Sequence, residues 1–150
     1  YNLDFVREII EQAAILYHSK KSGILELGGG VPKNTAQQTG PLLDQILRRN
    51  DGGQDYIIQI TDARPDTGGL SGATLQEGKS WGKVKDAHNG MVTVYADVTI
   101  AFPILALYVL SNQKTRKPKR LYKKLDKMYN NLKKDYLSDP KNQKKLKKKN

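Results

Sequence analysis

Three short apolar runs separated by helical patterns restrict this chain to a small set of folds. The runs occupy residues 23–27, 55–61 and 92–96, and each has the length of a buried strand. Helical patterns occur at residues 3–18, between the first two runs up to about residue 49, and at residues 99–111. Helices that alternate with strands in this way indicate a parallel α/β sheet.

The segments that follow the three runs should meet, because the carboxyl ends of parallel strands lie at one edge of a sheet. These segments are residues 28–34, 61–66 and 97–98, and ligands of open α/β sheets bind at this edge. Residues 63–77 are rich in Gly, Thr and Pro and show no helical or strand period. A connection of that length in a compact domain is usually functional or disordered. A binding site is therefore expected among these segments.

The net charge of +11 comes from the end of the chain. Residues 1–113 contain ten basic and twelve acidic side chains, whereas residues 114–150 contain sixteen basic and three acidic ones. An apolar stripe at three- and four-residue steps predicts a lysine-rich amphipathic helix here; it comprises Leu121, Leu125, Met128, Leu132 and Tyr136. Beyond Pro140 the sequence is too polar for a core, and we predict disorder there. The chain thus divides into residues 1–113 and a basic tail, residues 114–150.

The composition excludes several kinds of site. The chain has no cysteine, so disulfides, thiolate metal ligands and cysteine nucleophiles are excluded, and a reducing compartment fits. His18 and His88 have no neighbouring pattern of metal ligands, and we predict no metal site. The longest apolar stretch, residues 98–110, is too short to span a bilayer, which takes about 20 residues.

Two features at the predicted sheet edge have a structural and a functional interpretation, and the sequence leaves both open. Gly28, Gly29 and Gly30 stand between a strand and a helix, where backbone amides attract phosphate, but such turns also use glycine for steric reasons alone. Asp97 ends the third run. Its carboxylate can accept hydrogen bonds from ribose hydroxyls or cap the helix that follows, and the sequence alone favours the cap.

The segment Ser80-Trp81-Gly82-Lys83 contains the single tryptophan of the chain. An apolar box around a lysine disfavours the ammonium form, so that the free amine can attack a carbonyl or an imine. Most lysines are solvated surface charges, and composition alone favours that interpretation for Lys83.

Together these segments resemble the deoxyhypusine synthase family, including its bacterial homospermidine synthase-like branch. The matching stretches are LELGGGVPKN, DYIIQIT, GGLSGATLQEGKSWGKV and VTVYADVTIAFPILA, in the family's order and spacing. The similarity covers residues 3–111, and SWGK followed by VYAD is its most specific part. The resemblance implies an α/β fold, a Rossmann-like doubly wound parallel sheet. Its amino-terminal half would be missing here, and the lysine-rich carboxy-terminal helix would be an addition.

The resemblance also implies roles for individual residues. The family oxidises a polyamine with NAD, captures the aminobutyl unit as an imine on the lysine of SWGK and passes it to an acceptor amine. Lys83 would be this nucleophile, Trp81 would pack along the amine chain, and Glu77 would hold a terminal ammonium. The positions that line the dinucleotide correspond to Gly29, Gly30, Thr61, Asp66, Asp97 and Val98.

Two residues depart from the pattern of the hypusine-forming enzymes. Asn34 stands where those enzymes have a histidine, and Leu70 where they have an aspartate. Both family residues contact the polyamine, so the substrate pocket is changed. The loss of a carboxylate weakens recognition of an ammonium group, which argues against an unaltered transfer from spermidine to a protein lysine. We expect a small diamine acceptor such as putrescine, which would yield homospermidine.

The resemblance further implies a homotetramer with sites between subunits, and an amino-terminal half that supplies more NAD and polyamine contacts. We expect the chain to be the carboxy-terminal portion of such a cytoplasmic enzyme and to need that half for activity. One alternative is a noncatalytic subunit, against which the intact Lys83, Trp81 and Glu77 speak. The other is nucleic-acid binding through the tail, which is less favoured because lysine runs are usually solvated helix faces.

Overall fold

A computed structural model describes residues 4–49, 53–85, 90–113 and 117–147. The elements, in chain order, are α1 (Phe5–Tyr17), β1 (Gly23–Leu27), α2 (Val31–Gln37), α3 (Thr39–Pro41), a π-helical turn (Leu42–Ile46), β2 (Tyr56–Thr61), a 3-10 turn (Pro65–Thr67), α4 (Leu75–Ser80), β3 (Met91–Tyr95), α5 (Val98–Asn112), a 3-10 turn (Leu121–Lys124), α6 (Leu125–Ser138) and α7 (Pro140–Lys147). His88 lies outside the described residues.

The three predicted strands form one parallel sheet in the order β1-β2-β3. Leu25 lies opposite Ile58, and Ile58 lies opposite Val92. Helical segments connect the strands and pack on both faces of the sheet. The fold is therefore α/β, with the partial Rossmann-like sheet that the sequence predicts.

The two faces of the sheet differ in polarity because side chains alternate along each strand. Leu25, Ile58 and Val92 are partly exposed and belong to an apolar face. α5 flanks this face, with a cavity of about 520 Å³ between them. The opposite face carries Glu26 and Gln59, which are neighbours in the register and are both buried. Polar side chains thus lie inside the sheet layer, on the face that α2 covers.

The main hydrophobic core lies between α1 and α6. Ala13, Ala14, Leu16 and Leu43 form this cluster with side chains from the amphipathic stripe of the tail, Met128 and Leu132. The predicted lysine-rich helix is confirmed, and its apolar stripe supplies half of an interface with the first helix of the chain.

Two segments differ from the sequence prediction. The connection predicted to lack a helical period ends in the short helix α4, which Thr74 caps by accepting a hydrogen bond from the backbone N–H of Glu77 at 3.2 Å. Disorder was expected beyond Pro140, but the structure has the helix α7. Asp139 accepts a hydrogen bond from the N–H of Lys141 there, and the buried Asn142 donates to the carbonyl of Tyr136 at 3.0 Å. Capping side chains, which the hydrophobic pattern does not register, start both helices.

Among the described residues, no helix has both the length and the apolar composition needed to cross a bilayer. The most apolar helix, α5, has 15 residues. Many of its side chains are exposed around the whole helix, among them Ile104, Leu107 and Leu110. A helix that is apolar on all sides is typical of a buried position.

The α1–α6 interface predicts a position-dependent loss of stability within one helix. Leu132 is 1% exposed, and its replacement in Leu132→Ala removes buried methyl groups and leaves a cavity. We expect the free energy of unfolding to fall by about 2–5 kcal/mol. Leu137 on the same helix is 40% exposed, and Leu137→Ala should cost about 0.5 kcal/mol. Urea unfolding of the native protein measures both, and equal losses would contradict this packing.

Candidate functional site

The turn after β1 delivers three polar side chains of α2 to the buried polar face of the sheet. Gly28 donates its N–H to the carbonyl of Ile60 at 2.7 Å, which joins the turn to β2. Pro32 lies in the first turn of α2, a position where its missing N–H costs nothing. Within the next turn and a half of α2, Lys33 reaches Gln59, Asn34 reaches Lys83 and Gln37 reaches Glu26.

Gly29 is required for close packing against the segment that precedes α4. A Cβ added at Gly29 would lie 2.6 Å from the Cα of Ser71, which is closer than any real contact. The steric interpretation of the glycine triplet therefore holds at this position. The same contact brings residues 71–73 over the turn, where their carbonyl groups are available to α2.

Lys33 is a site residue that the sequence analysis did not single out. Its side chain is 6% exposed, and its Nζ donates to Ala73 O at 2.7 Å, Gln59 Oε1 at 3.2 Å and Ser71 O at 3.5 Å. Burial lowers the pKa of Lys33, and the charge of Glu26 partly opposes this effect. The sequence signal that could have identified Lys33 is its position directly after the glycine turn, at the start of a helix that packs on the sheet.

Glu26 is the second residue that the sequence analysis missed. It is 5% exposed, and its Oε1 accepts a hydrogen bond from Gln37 Nε2 at 2.6 Å. Burial raises the pKa of Glu26, whereas Gln37, Lys33 and Lys83 act in the opposite direction. The signal was a charged residue within an otherwise apolar strand, since such a residue is buried only when it has partners.

Lys83 and Asn34, which are 49 positions apart, come together. Lys83 Nζ donates to Asn34 Oδ1 at 2.8 Å, and the Lys83 side chain is half-buried. Its carbonyl accepts from Gln54 N at 3.0 Å, and Gly53 lies so close that a Cβ there would approach the Lys83 carbonyl to 2.4 Å. The carbonyl of Lys83 is thus held by the segment that precedes β2, and two predicted site residues share one hydrogen bond.

Trp81 and Glu77 lie at the surface of this chain. Trp81 directly follows the last residue of α4 and is 64% exposed, and Glu77 is exposed in the first turn of the same helix. Glu77 acts electrostatically on Lys33 and raises its pKa, although this is the smallest of the contributions. Within the described residues, Trp81 therefore does not enclose Lys83, and Trp81 and Glu77 both occupy exposed positions.

The residues predicted to line a dinucleotide follow β2 and β3 at the same sheet edge as the glycine turn. Thr61 is buried, and its Oγ1 accepts from the N–H of Ala63 at 3.1 Å. Asp66 is exposed and paired with Arg64 at 3.0 Å. A cavity of about 320 Å³ is lined by Arg64, Pro65, Asp66 and Tyr95. This cavity and the glycine turn are compatible with a phosphate- and ribose-bearing ligand.

Asp97 caps α5, as the sequence favoured. Its Oδ1 accepts hydrogen bonds from Thr99 N at 2.7 Å and from Thr99 Oγ1 at 2.6 Å. These two bonds lower the pKa of Asp97 and keep the carboxylate ionised. Asp97 remains exposed, so the cap leaves its carboxylate accessible to a ligand hydroxyl. Val98 follows as the first residue of the helix.

The arrangement can therefore support amine chemistry at the sheet edge where the glycine turn and the cavity beside Asp66 lie. The amine of Lys83 lies near the buried Lys33 and the buried carboxylate of Glu26, at the carboxyl ends of parallel strands. No group of three or more His, Asp or Glu side chains in the described parts of the chain is placed to share a metal ion.

Comparison with known proteins agrees with this geometry. The family model described as deoxyhypusine synthase matches residues 1–109. A deoxyhypusine synthase-like protein of Nostoc sp. is 44% identical over 141 residues, which cover 91% of this chain and 37% of that protein. The deoxyhypusine synthase-like protein of a Cyanothece species is 46% identical over 90% of this chain and 36% of its own length.

Archaeal relatives match as well. The probable deoxyhypusine synthase 2 of Archaeoglobus fulgidus is 40% identical over 77% of this chain and 38% of that protein. The chain thus spans a little over a third of the length of these curated relatives. The matched residues 1–109 include both Lys83 and Asn34. The chain belongs to the deoxyhypusine synthase family.

Proposed function

We propose that this chain is part of a cytoplasmic, NAD-dependent transferase of aminobutyl groups, in which Lys83 carries the transferred unit as an imine. The observation that carries the proposal is the hydrogen bond of 2.8 Å between Lys83 Nζ and Asn34 Oδ1 at the carboxyl edge of the sheet. Membership of the family supports the class of reaction. Because the chain spans about a third of its relatives, the activity itself is part of the proposal.

The surroundings of Lys83 suit a nucleophile. Within the described residues its Nζ is held by the neutral amide of Asn34 and by no carboxylate. A salt bridge to a carboxylate adds the attraction of a full negative charge to the hydrogen bond and would have to break before attack, whereas the amide carries no net charge. Lys83 can therefore leave Asn34 at low cost, while Asn34 remains to orient the incoming amine.

The bonds that form and break involve this lysine. Lys83 Nζ adds to the C=N carbon of the oxidised donor, the donor's own C–N bond breaks, and its amine leaves with the proton that Nζ gives up. The acceptor amine then adds to the same carbon, the bond to Lys83 breaks, and Nζ regains a proton. Formation of an imine on a lysine splits the transfer into two easier steps.

NAD, when bound, would take a hydride from the donor and return it to the product, which keeps the overall reaction redox-neutral. Gly29 and Gly30 at the turn would lie near the pyrophosphate. Thr61 and Asp66, which follow β2, and Asp97 and Val98, which follow β3, would line the rest of the dinucleotide. The cavity beside Asp66 and the exposed carboxylate of Asp97 support this assignment.

We further propose that the complete site forms between subunits of a homotetramer. Trp81 and Glu77 are both exposed, so neither encloses an amine within this chain. α5 and the apolar face of the sheet also expose large side chains, which is typical of surfaces covered by more protein. Additional polypeptide of the length seen in the relatives would close the pocket over Lys83.

A small diamine, putrescine, is the proposed acceptor, with homospermidine as the product. Asn34 contacts the nucleophile where the hypusine-forming enzymes have histidine, and Leu70 is exposed where they have aspartate. The second candidate function is that of a noncatalytic subunit. The intact Lys83, Trp81 and Glu77 speak against it, because a subunit without activity would be expected to lose its nucleophile.

Chemical trapping tests the proposed imine. We expect borohydride, added to the native protein with NAD and either putrescine or spermidine, to leave an aminobutyl group on Lys83 that peptide mass mapping locates. The amine that produces the adduct is the donor. Lys83→Arg should abolish the adduct, because a guanidinium does not form an imine under these conditions.

Lys79→Arg is the matched control for this experiment. Lys79 lies on α4 near Lys83 and is exposed, so the adduct should persist at its normal yield. A protein that binds NAD but gives no adduct with either amine would support the noncatalytic subunit instead.

The acceptor is tested by product analysis. With isotope-labelled putrescine as the added amine, we expect labelled homospermidine and no label on a protein lysine, because Asn34 and Leu70 change the family's polyamine pocket. Chromatography with mass detection separates the products. Turnover of a protein acceptor without turnover of putrescine would overturn the proposed acceptor but leave the imine on Lys83 intact.

A further inference from the structure

A buried carboxylate oxygen at the site has no hydrogen-bond partner. Glu26 Oε1 is bound by Gln37 Nε2 at 2.6 Å, whereas Oε2 exposes less than 1 Å² and accepts nothing in the described structure. Buried carboxylates that lack a partner are costly and therefore rare. An unmatched acceptor of this kind indicates a group that is absent from the chain itself.

The neighbouring lysines do not fill this position. The hydrogens of the Lys33 ammonium go to Gln59 and to the carbonyls of Ser71 and Ala73. Lys83 donates to Asn34. Both lysines act on Glu26 through their charge, but neither forms a salt bridge with it in the described part of the chain.

Glu26 also lines a cavity whose shape and chemistry fit an alkylamine. The cavity, of about 220 Å³, lies between β1 and α2, and Lys33 lines its wall together with the apolar residues Ile24, Pro32 and Ala36. Such a wall accepts methylene groups, and a carboxylate at its side accepts an ammonium. The last torsion of a glutamate is soft, which lets the carboxylate turn toward a bound cation.

We propose that Glu26 is the carboxylate that anchors one ammonium group of the amine substrate, with the methylene chain along the apolar wall of this cavity. The proposal rests on the proposed function for the identity of the amine. It also accounts for Leu70, because a pocket that lacks the family's aspartate at that position needs a carboxylate from another element. In this chain β1 supplies it.

Binding of an ammonium group at Glu26 depends on pH. Burial raises the pKa of Glu26, and the groups that face it are Gln37 and Lys33 from α2 and Lys83 beyond α4. A bound ammonium favours the ionised carboxylate, so the pKa of Glu26 is lower in the complex than in the free protein. Affinity for the amine is therefore full above the raised pKa and falls as the pH drops through it. Binding releases protons in the same interval.

Calorimetric titration of the native protein with putrescine tests the anchor. NADH is present throughout, because it cannot accept a hydride and no imine forms. We expect Glu26→Gln to weaken putrescine binding by about tenfold or more, the range for a lost charge-assisted hydrogen bond. Glutamine retains an oxygen for Gln37 Nε2, and an unchanged thermal unfolding midpoint confirms that the variant folds. Glu8→Gln, an exposed position on α1, is the matched control.

The unmodified protein provides a second measurement that needs no variant. Titrations in two buffers of different ionisation enthalpy give the number of protons released, which should be greatest near the raised pKa of Glu26 and absent in Glu26→Gln. Equal affinity of the native protein and Glu26→Gln, or binding without proton release in this interval, would overturn the anchor. Failure of the Lys83 adduct together with Glu26-dependent binding would instead remove the proposed function and leave the anchor.

Discussion

The burial of the Lys33 ammonium is the interaction on which the arrangement of the site depends. An ammonium group removed from water is costly unless each of its hydrogens has an acceptor. Here the acceptors are Gln59 Oε1, Ser71 O and Ala73 O, from a strand and from the segment before α4. Gln59 in turn donates to Gly28 O and Ser71 O. One cation therefore ties the glycine turn, the centre of the sheet and the approach to α4 together, and this fixes where Lys83 can lie.

The strands and their parallel pairing could be predicted from the sequence because both follow from local patterns. Short apolar runs separated by helical segments are typical of a parallel sheet. In the structure, the register of this sheet places Glu26 beside Gln59. The contact between Lys33 and Ala73, 40 positions apart, could not be predicted in this way. Nothing near Lys33 in the chain specifies which carbonyl groups will meet it. Asn34 and Lys83 were predicted as site residues through the family resemblance, but their direct contact also depends on that long-range tie.

Polar residues within apolar runs indicated the buried polar site, but an analysis based on hydrophobic periodicity does not detect them. Glu26 and Gln59 each interrupt a strand of aliphatic side chains, and both lie on the face covered by α2. A solvated face would explain such residues on an antiparallel sheet, but strands of a parallel sheet are covered on both sides. In that context a charged residue within a strand must have a buried partner or a ligand. Gln37 donates a hydrogen bond to one oxygen of Glu26, and the other oxygen is the proposed acceptor for an ammonium group of the substrate.

The basic tail shows why a charge run cannot be interpreted without its packing. Met128 and Leu132 enter the α1–α6 core, and the acidic side chains of α6 bind the first helix: Asp126 pairs with Arg7 at 2.7 Å, and Asp135 accepts from the hydroxyl of Tyr17 at 3.0 Å. These contacts join α6 to α1, and the described lysines of the helix lie on exposed positions. Removal of residues 114–150 would therefore uncover the core of α1 as well as remove positive charge. Any loss of polyanion binding in such a truncation would report unfolding, and substitution of the exposed lysines by glutamine separates charge from structure.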